Sequence, residues 1–287
     1  MNRVVVVGSF MMDLVASTPR LPKPGETVIG ESFSQFLGGK GFNQAVAAAR
    51  SGGNVSMIGR VGDDDFGRAF ISALDRDGID RRGVSVDASI GTGVGLPVVE
   101  ASGQNAIVVI PRANHALAAG DVPVDVIDGA SVVLLQWELP PATTVAAAKA
   151  ARDAGATVVL NPAPAVGDLH EYAGLVDVIV PNEQEAAAIG VITGMAVVLT
   201  LGEKGSLVRE VGGDEHRLDP HDVQCIDTVG AGDAFCGALC TALVGGASLV
   251  EAARVGNAAG ALAVTKAGAE PSMPYRADIE SLLEEHR

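Results

Sequence analysis

The sequence has few cysteines and no long hydrophobic run, and each shortage excludes a class of protein. Three cysteines among 287 residues, with no CxxC pair, exclude a disulfide framework and favour a reducing compartment. No apolar run is long enough to span a bilayer, and the N-terminus lacks the hydrophobic region of a signal peptide. We therefore expect a cytoplasmic protein without membrane contacts.

Positive charge is scarce as well. Lys and Arg total 20 against 35 Asp and Glu, which gives a formal net charge of -15. Binding to nucleic acid relies on clustered cations that displace counterions, so this balance excludes a general nucleic-acid surface. An anionic nucleotide would be bound locally, by backbone N–H groups, a few cations and Mg²⁺.

Several catalytic signatures are missing. There is no HExxH zinc motif, no GxSxG elbow and no GxGxxG fingerprint after the first apolar run, which disfavours metalloproteases, hydrolases of that type and dinucleotide enzymes. The glycine-rich turn at residues 38–41 is not a Walker P-loop, because Ser34 stands where the first Gly is required and Gly41 follows the Lys.

Short apolar runs alternate with stretches of helical composition. The runs are residues 4–7, 55–58, 132–135, 157–160, 176–180 and 196–201, and the helical stretches are residues 43–50, 66–75, 141–154 and 183–189. Continuous apolar runs are typical of buried parallel strands, and their alternation with helices indicates right-handed βαβ units. The sequence thus predicts an α/β protein with a mostly parallel central sheet and ligands beyond the carboxyl ends of its strands.

Two regions interrupt this alternation. Residues 14–36 contain three prolines followed by a strand-like stretch at 26–36, and residues 93–110 read as two strands around a turn at 102–105. We expect segments of about residues 11–37 and 92–111 to form a small antiparallel sheet that serves as a lid. The alternative is a pair of edge hairpins without a function of their own.

The sharpest motif is DTVGAGDAFCG at residues 227–237. Small residues before a helical run allow a ligand to approach the backbone, and the N–H groups of a first helical turn form an anion site. Asp233 can cap this helix and also reach a hydroxyl group. A capped helix after a glycine turn is the alternative.

Other polar turns also follow apolar runs. Lys40 and Asn43, next to the turn at 38–41, are candidates for facing a polyhydroxylated substrate, and Glu138 follows the run at 132–135. The oxygens of Asn182 and Glu185 can organise a hydrated Mg²⁺ with its nucleotide phosphates. Each turn taken alone is equally consistent with an ordinary cap or β-turn.

Together these motifs resemble the PfkB family of carbohydrate kinases, also called the ribokinase family. The segment GGKGFNQAVA at residues 38–47 is similar to the N-terminal signature of the family, and residues 227–237 are similar to its C-terminal signature. Pieces between them match in order: PGETVIG at 24–30, GDDDFG at 62–67, NPAPA at 161–165 and PNEQE at 181–185. The resemblance implies a ribokinase-like three-layer sandwich, formed by residues 1–287 as one domain, and a β-sheet lid that also makes a homodimer.

The resemblance further implies ATP-dependent phosphorylation of a sugar, with D-ribose at its 5-hydroxyl as the first expectation. Asp233 would be the general base, with Gly230, Ala231 and Gly232 as the anion hole. The implied sugar ligands are Asp13, Gly39, Lys40, Asn43, Glu138 and Asp233, and the implied ATP ligands are Asn182, Thr200, Gly202, Gly205, Gly232 and Asn257. Glu185 would act on Mg²⁺ through water. An activating K⁺ would be bound by Asp227, Val229, Ala263, Lys266, Gly268 and Ser272.

Two departures from the family pattern leave the substrate open. Met11 stands where the family often has an Asn that binds the sugar, and a thioether lacks the hydrogen bonds of an amide. The connection between Glu185 and Ala196 is shorter than is common in the family and lies near the nucleotide half. The alternatives are therefore another small sugar or a nucleoside as substrate, or, in a different class, a non-catalytic sensor of sugar or nucleotide on the same fold.

Overall fold

The computed structural model describes residues 2–102 and 104–285 and has the predicted α/β architecture. Its strands are β1 (Val4–Val7), β2 (Met11–Thr18), β3 (Ser32–Gly38), β4 (Val55–Gly62), β5 (Asp80–Asp87), β6 (Gly93–Glu100), β7 (Asn105–Ile110), β8 (Val132–Gln136), β9 (Thr157–Asn161), β10 (Val178–Ile179), β11 (Ala196–Thr200), β12 (Ser206–Arg209) and β13 (Glu215–Leu218). Its α-helices are α1 (Lys40–Arg50), α2 (Asp65–Arg76), α3 (Ala113–Ala116), α4 (Val124–Ile127), α5 (Pro141–Asp153), α6 (Glu183–Ile189), α7 (Ala231–Val244), α8 (Leu249–Ala263), α9 (Ala269–Ser272) and α10 (Arg276–Glu285). No α-helix of the described residues is both long and apolar enough to cross a membrane.

Nine strands form the central sheet in the order β13-β12-β11-β10-β9-β8-β1-β4-β5. The seven strands from β11 to β5 are parallel, and β12 and β13 add an antiparallel hairpin at one edge. The carboxyl ends of all parallel strands therefore meet at the same edge of the sheet. Ser9, Glu138, Asn161 and Asn182 lie at or just beyond that edge.

Both faces of the sheet are buried, which explains the uninterrupted apolar runs. Val4 and Val6 of β1 face a core that contains side chains of α1, α2, α7, α8 and α10, whereas Val5 and Val7 face a second core with α4 and α5. Alternate residues of one strand thus pack against different helical layers. The result is a three-layer sandwich, as predicted.

Four strands form a second, smaller sheet in the order β3-β2-β6-β7. The pairs β2–β3 and β6–β7 are antiparallel, as predicted, but the central pair β2–β6 is parallel. No hairpin joins β6 to β2 or β3, because α1, β4, α2 and β5 lie between β3 and β6 in the chain. Gly103 of the predicted turn lies outside the described residues.

Two strand boundaries differ from the sequence prediction. The strand-like stretch at 26–36 is a strand only from Ser32, because Glu26 is held in a turn by its N–H bond to the carbonyl of Lys23 and by its ion pair with Arg20. The run at 176–180 contributes only two residues to the sheet as β10.

Helices α1 and α7, which carry both signatures, pack together through Gly237. A Cβ on Gly237 would stand 2.6 Å from the Cβ of Ala47 and from the backbone N of Ala48. We expect Gly237→Ala to destabilise the fold by about 2 kcal/mol, as overpacking of a core does, and to lower activity because it separates the two signatures. Thermal denaturation measures this. Gly120→Ala is the matched control, since a Cβ there meets nothing within 4 Å, and equal melting temperatures of the two variants would contradict the packing argument.

Candidate active site

Asp233 lies in the first turn of α7 and is held by two amides of α1. Asn43 Nδ2 donates to Asp233 Oδ2 at 3.1 Å, and Gln44 Nε2 donates to Asp233 Oδ1 at 2.9 Å. The Asp233 residue is only 6% exposed. The Oδ1 atom of Asn43 is buried and has no hydrogen-bond partner among the described residues. A buried acceptor without a partner, next to a carboxylate, fits a ligand that donates hydroxyl hydrogen bonds.

Glu138 lies beyond β8 and faces the start of α1. Its Oε2 accepts a hydrogen bond from the hydroxyl of Ser9 and another, at 2.8 Å, from the backbone N–H of Lys40. Gly39, directly before this helix, has φ of 90°, which favours glycine, and a Cβ there would stand 2.8 Å from the backbone N of Met11. The turn at 38–41 thus joins the helix to the small sheet.

Asp13 of β2 projects from the small sheet toward this site. A Cβ on Gly38 or Gly95 would stand 2.4 or 2.3 Å from its carboxylate, so glycines leave the space that the carboxylate fills. Met11 shares this face of β2, since residues two apart point the same way. Burial, and then the nearby charge of Glu138, raise the pKa of Asp13 to about 6.

The raised pKa predicts a pH-dependent gain in stability from Asp13→Asn. An acid whose pKa is higher in the folded state destabilises the fold once it ionises, so the gain should be absent near pH 3, appear as the pH rises above 3.8 and level off above about pH 6. Melting temperatures between pH 3 and pH 8 measure this. Asp153→Asn on the exposed end of α5 is the control, and a gain that falls with rising pH would contradict the argument.

Gly230 caps α7 in a left-handed conformation, with φ of 81°. A Cβ there would stand 3.0 Å from Ala269 and Met273. A Cβ on Gly232, by contrast, meets nothing within 4 Å. The first N–H groups of a helix lack partners within the helix, so Gly232 offers a donor beside open space, next to the carboxylate of Asp233. The N–H of Ala231 has only a long hydrogen bond, 3.4 Å, to the carbonyl of Thr228.

Asn182 and Glu185 form a capping box at the start of α6. Asn182 Oδ1 accepts from the N–H of Glu185 at 2.8 Å, and Glu185 Oε2 accepts from the N–H of Asn182 at 2.9 Å. Burial raises the pKa of Glu185, and its charge interacts with Lys40 and Asp233. Asn182 also forms an isolated parallel bridge with Thr200. The pair therefore caps α6, and the carboxylate of Glu185 also interacts electrostatically with Lys40 and Asp233.

Lys40 is a cation close to the carboxylates of Asp233, Glu138 and Glu185. Burial lowers the pKa of Lys40, but the charges of Asp233, Glu138 and Glu185 outweigh this effect, so that its pKa lies above the usual value. One cation thus faces acidic groups from α7, from the end of β8 and from α6.

Gly202, Gly205 and Asn257 lie further along the same edge. Gly205 has φ of 83°, and a Cβ there would stand 2.1 Å from the carbonyl O of Leu218, so the turn after β11 contacts the end of β13 closely. Asn257 Nδ2 donates to the carbonyl of Asp219 at 3.4 Å. Asn257 and Asp219 also line a cavity of about 740 Å³, together with Arg217, His221, Glu251 and Arg254.

The loop before α7 is tied to the segment that follows α8. Asp227 accepts hydrogen bonds from the N–H of Val229 at 3.0 Å and from the N–H of Gly268 at 2.9 Å. The N–H of Lys266 donates to the carbonyl of Ala263, and the hydroxyl of Ser272 donates to the carbonyl of Ala269. Asp227, Val229 and Gly268 are thus joined by hydrogen bonds, whereas the bonds of Ala263, Lys266 and Ser272 lie within their own segment.

Three residues at the site were not predicted from the sequence. Ser9 contacts Glu138, and Gln44 and Asn161 join the hydrogen-bond network of Asp233. Ser9 and Asn161 both lie at the carboxyl end of an apolar strand, which was the signal that identified Glu138. Gln44 lay within the N-terminal signature but carried no pattern of its own.

Comparisons with known proteins identify the family of this chain. Residues 1–276 match the family model described as pfkB family carbohydrate kinase. The chain is 37% identical to a ribokinase of Haemophilus influenzae, over 98% of each chain, and 36% identical to a ribokinase of Bacillus subtilis, over 99% of this chain and all of the other. Among solved structures it is similar to ribokinase of Thermotoga maritima (TM-score 0.92, 32% identity, 98% and 99% covered) and to ribokinase of Arabidopsis thaliana complexed with ribose and ATP (TM-score 0.91, 31% identity, 98% of each chain).

The fold and these relatives define a phosphotransferase of the carbohydrate kinase class. The chain belongs to the pfkB family of carbohydrate kinases.

Proposed function

We propose that the protein transfers the γ-phosphoryl group of ATP to the 5-hydroxyl of D-ribose, with Asp233 as the general base. The observation that carries the proposal is the position of Asp233, next to the unpaired acceptor of Asn43 on one side and the N–H groups of Ala231 and Gly232 on the other. The similarity to ribokinases, one of them complexed with ribose and ATP, supports the two substrates.

Each group has a role in this reaction. Asp13, Gly39, Asn43 and Glu138 bind the sugar hydroxyls, and Asp233 takes the proton of the attacking hydroxyl. The N–H groups at Gly230, Ala231 and Gly232 stabilise the charge that develops on the transferred phosphoryl group, which is the main source of rate acceleration in such reactions. Lys40 neutralises charge between the sugar and the phosphates. Asn182, Thr200, Gly202, Gly205 and Asn257 bind ATP.

The residues present also fit two metal ions. Glu185 offers one carboxylate near Lys40 and Asp233, and a single acidic group of this kind suits a largely hydrated Mg²⁺ that would carry ATP. Asp227 holds two loops together by accepting the N–H groups of Val229 and Gly268, and the backbone carbonyls of these loops would be the oxygen donors for K⁺. Mg²⁺ would supply charge neutralisation of the phosphates, and K⁺ would fix the shape of the Gly230 turn.

Initial rates with pentoses, hexoses and nucleosides, with and without K⁺, test this proposal. We expect D-ribose to give the highest kcat/KM and K⁺ to raise the rate. The thioether of Met11 beside Asp13 makes the comparison with other small sugars necessary, because it cannot donate or accept as an amide does. If another acceptor gave a higher kcat/KM than ribose, that acceptor would replace ribose as the proposed substrate. If no acceptor were phosphorylated, a non-catalytic sensor would be favoured instead.

We also propose that the small sheet closes over the sugar and joins two copies of the chain. Strand β7 is an edge strand, and Ile107, Val108 and Val109 on it are 54–59% exposed. Phe33 on β3 is 62% exposed, and the strand registers place it on the same face as Val108. An exposed apolar edge of this kind is typical of an association surface.

Val108→Asp is expected to convert a dimer into a monomer, because it places a charge in an apolar interface. Light scattering after size-exclusion chromatography measures the mass. Val124→Asp on α4 is the matched control, since Val124 is 56% exposed, close to the 59% of Val108, but lies outside the small sheet. A monomeric wild-type protein, or a dimeric Val108→Asp variant, would contradict this assembly.

A further inference from the structure

A chain of buried amides connects the carboxylate of Asp233 to the carbonyl of Val180, which follows β10 directly. Gln44 Nε2 donates both to Asp233 Oδ1, at 2.9 Å, and to Asn161 Oδ1, at 3.0 Å. Gln136 Nε2 donates to Gln44 Oε1 at 2.7 Å, and Asn161 Nδ2 donates to the carbonyl O of Val180 at 2.8 Å. Gln44 and Gln136 are at most 1% exposed and Asn161 is 7% exposed.

The two ends of this chain determine the orientation of each amide. A backbone carbonyl can only accept, so Asn161 must direct its NH₂ group to Val180 and its oxygen to Gln44. Both oxygens of Asp233 accept hydrogen bonds, so Gln44 must direct its NH₂ group to Asp233 and Asn161 and its oxygen to Gln136. Amides at the ends of β8 and β9 therefore fix the side chain that donates a hydrogen bond to Oδ1 of Asp233.

The strands give this contact its rigidity. Gln136 is the last residue of β8 and Asn161 the last residue of β9, and they pair in the central sheet. Packing around Gln136 is tight, since a Cβ on Gly8 would stand 2.2 Å from its Oε1 atom. The orientation of Asp233 thus depends on the sheet as well as on its own helix.

We propose that Gln44 is a positioning residue for the reaction, which sets the direction of the Asp233 carboxylate and is itself held by Gln136 and Asn161. The proposal rests on the proposed role of Asp233 as the base. The two amides that hold Asp233 differ in one respect. Asn43 has an unpaired oxygen that can accept a hydrogen bond from the substrate, whereas both the NH₂ group and the oxygen of Gln44 are bonded within the protein. Gln44 therefore affects the reaction through Asp233 alone.

Steady-state kinetics of Gln44→Met test the proposal, since Met keeps the length of the side chain and loses all its hydrogen bonds. We expect kcat to fall by about 10²-fold, as for misplacement of a reacting group, with KM for ATP changed by less than about twofold. In an Asp233→Asn background the same substitution should lower the residual kcat by less than about twofold, because a residue that acts through Asp233 has nothing left to position.

A buried hydrogen bond elsewhere provides the control for stability. Thr143→Val on α5 removes the bond from Thr143 Oγ1 to the carbonyl of Leu117, on the other face of the sheet. This variant should melt at a lower temperature and keep its kcat. If Gln44→Met does not fold, Gln136→Met replaces it, with a smaller decrease of about fivefold expected because the contact with Asp233 remains.

The outcomes separate this inference from the proposed function. An unchanged kcat in folded Gln44→Met, or in folded Gln136→Met where that variant replaces it, would overturn the positioning role even if Asp233→Asn has only a small residual kcat. Equal losses in the wild-type and Asp233→Asn backgrounds would overturn it as well, since they indicate a structural effect. An Asp233→Asn variant with full activity would instead overturn the proposed base.

Discussion

Asp233→Asn is expected to lower kcat for ribose phosphorylation by about 10³-fold, within the usual contribution of a general base. The variant keeps the size of the side chain, but it cannot take a proton from the sugar hydroxyl. Both oxygens of Asp233 accept hydrogen bonds from amides of α1. One of these donors would face the NH₂ group of the new Asn, so the melting temperature should fall as well. Binding of ATP, measured by calorimetry, should change little because the N–H groups of the turn remain.

The control for this variant lies on the same helix. Thr241 donates a hydrogen bond to the carbonyl of Ala48 at 3.0 Å, two turns from Asp233, and joins α7 to α1. Thr241→Val should lower the melting temperature and leave kcat within about twofold, since the bond is worth about 1 kcal/mol to the fold and does not contact the substrates. A large loss of kcat in Thr241→Val would indicate that disturbance of the helix pair, and not loss of the base, explains the result for Asp233.

Lys40→Met is expected to lower kcat/KM by about 10²-fold, comparable to the removal of one group that stabilises a charged transition state. Lys40 interacts with three carboxylates, those of Asp233, Glu138 and Glu185. Without this cation, the negatively charged phosphates of ATP would approach these three carboxylates with no positive charge from Lys40 to offset the repulsion. We expect the loss to appear in KM for ATP as well as in kcat.

Lys149→Met on the exposed surface of α5 changes the net charge by the same amount and is the matched control. Full activity in that variant would show that the overall charge of -15 is not the cause. If Lys40→Met kept its kcat/KM, the cation would have only a structural role. The proposal that Lys40 neutralises charge between the sugar and the phosphates would then be wrong.

Much of the fold follows from local patterns in the sequence. The run at 4–7 is β1 with the same boundaries, and the stretch at 183–189 is α6 with the same boundaries. Strand β5 was not predicted, because DRRGVSVD is an edge strand with polar residues on its exposed face and lacks a continuous apolar run. Hairpin β12–β13 was missed for a similar reason, since each strand has four residues and β13 is mostly exposed.

The candidate site was predictable where a residue lies in a motif or follows a strand. Asp233, Lys40, Asn43 and Glu138 fall into these categories, and the structure places them together. The hydrogen-bond network around Asp233 was harder to predict from the sequence. Gln44 and Asn161 are 117 positions apart, and their contact depends on the packing of α1 over the sheet. The parallel pairing of β2 with β6 has the same origin, since a long connection separates these strands.

The product of the reaction tests the central claim most directly. The purified protein should be incubated with ATP, Mg²⁺, K⁺ and D-ribose labelled with ¹³C, and the product analysed by ¹³C and ³¹P nuclear magnetic resonance. We predict ribose 5-phosphate, with phosphorus coupling at carbon 5, formed in equal amount to ADP and nearly absent with Asp233→Asn. Release of ADP and free phosphate without a sugar phosphate, or phosphorylation of another position, would contradict the proposed function.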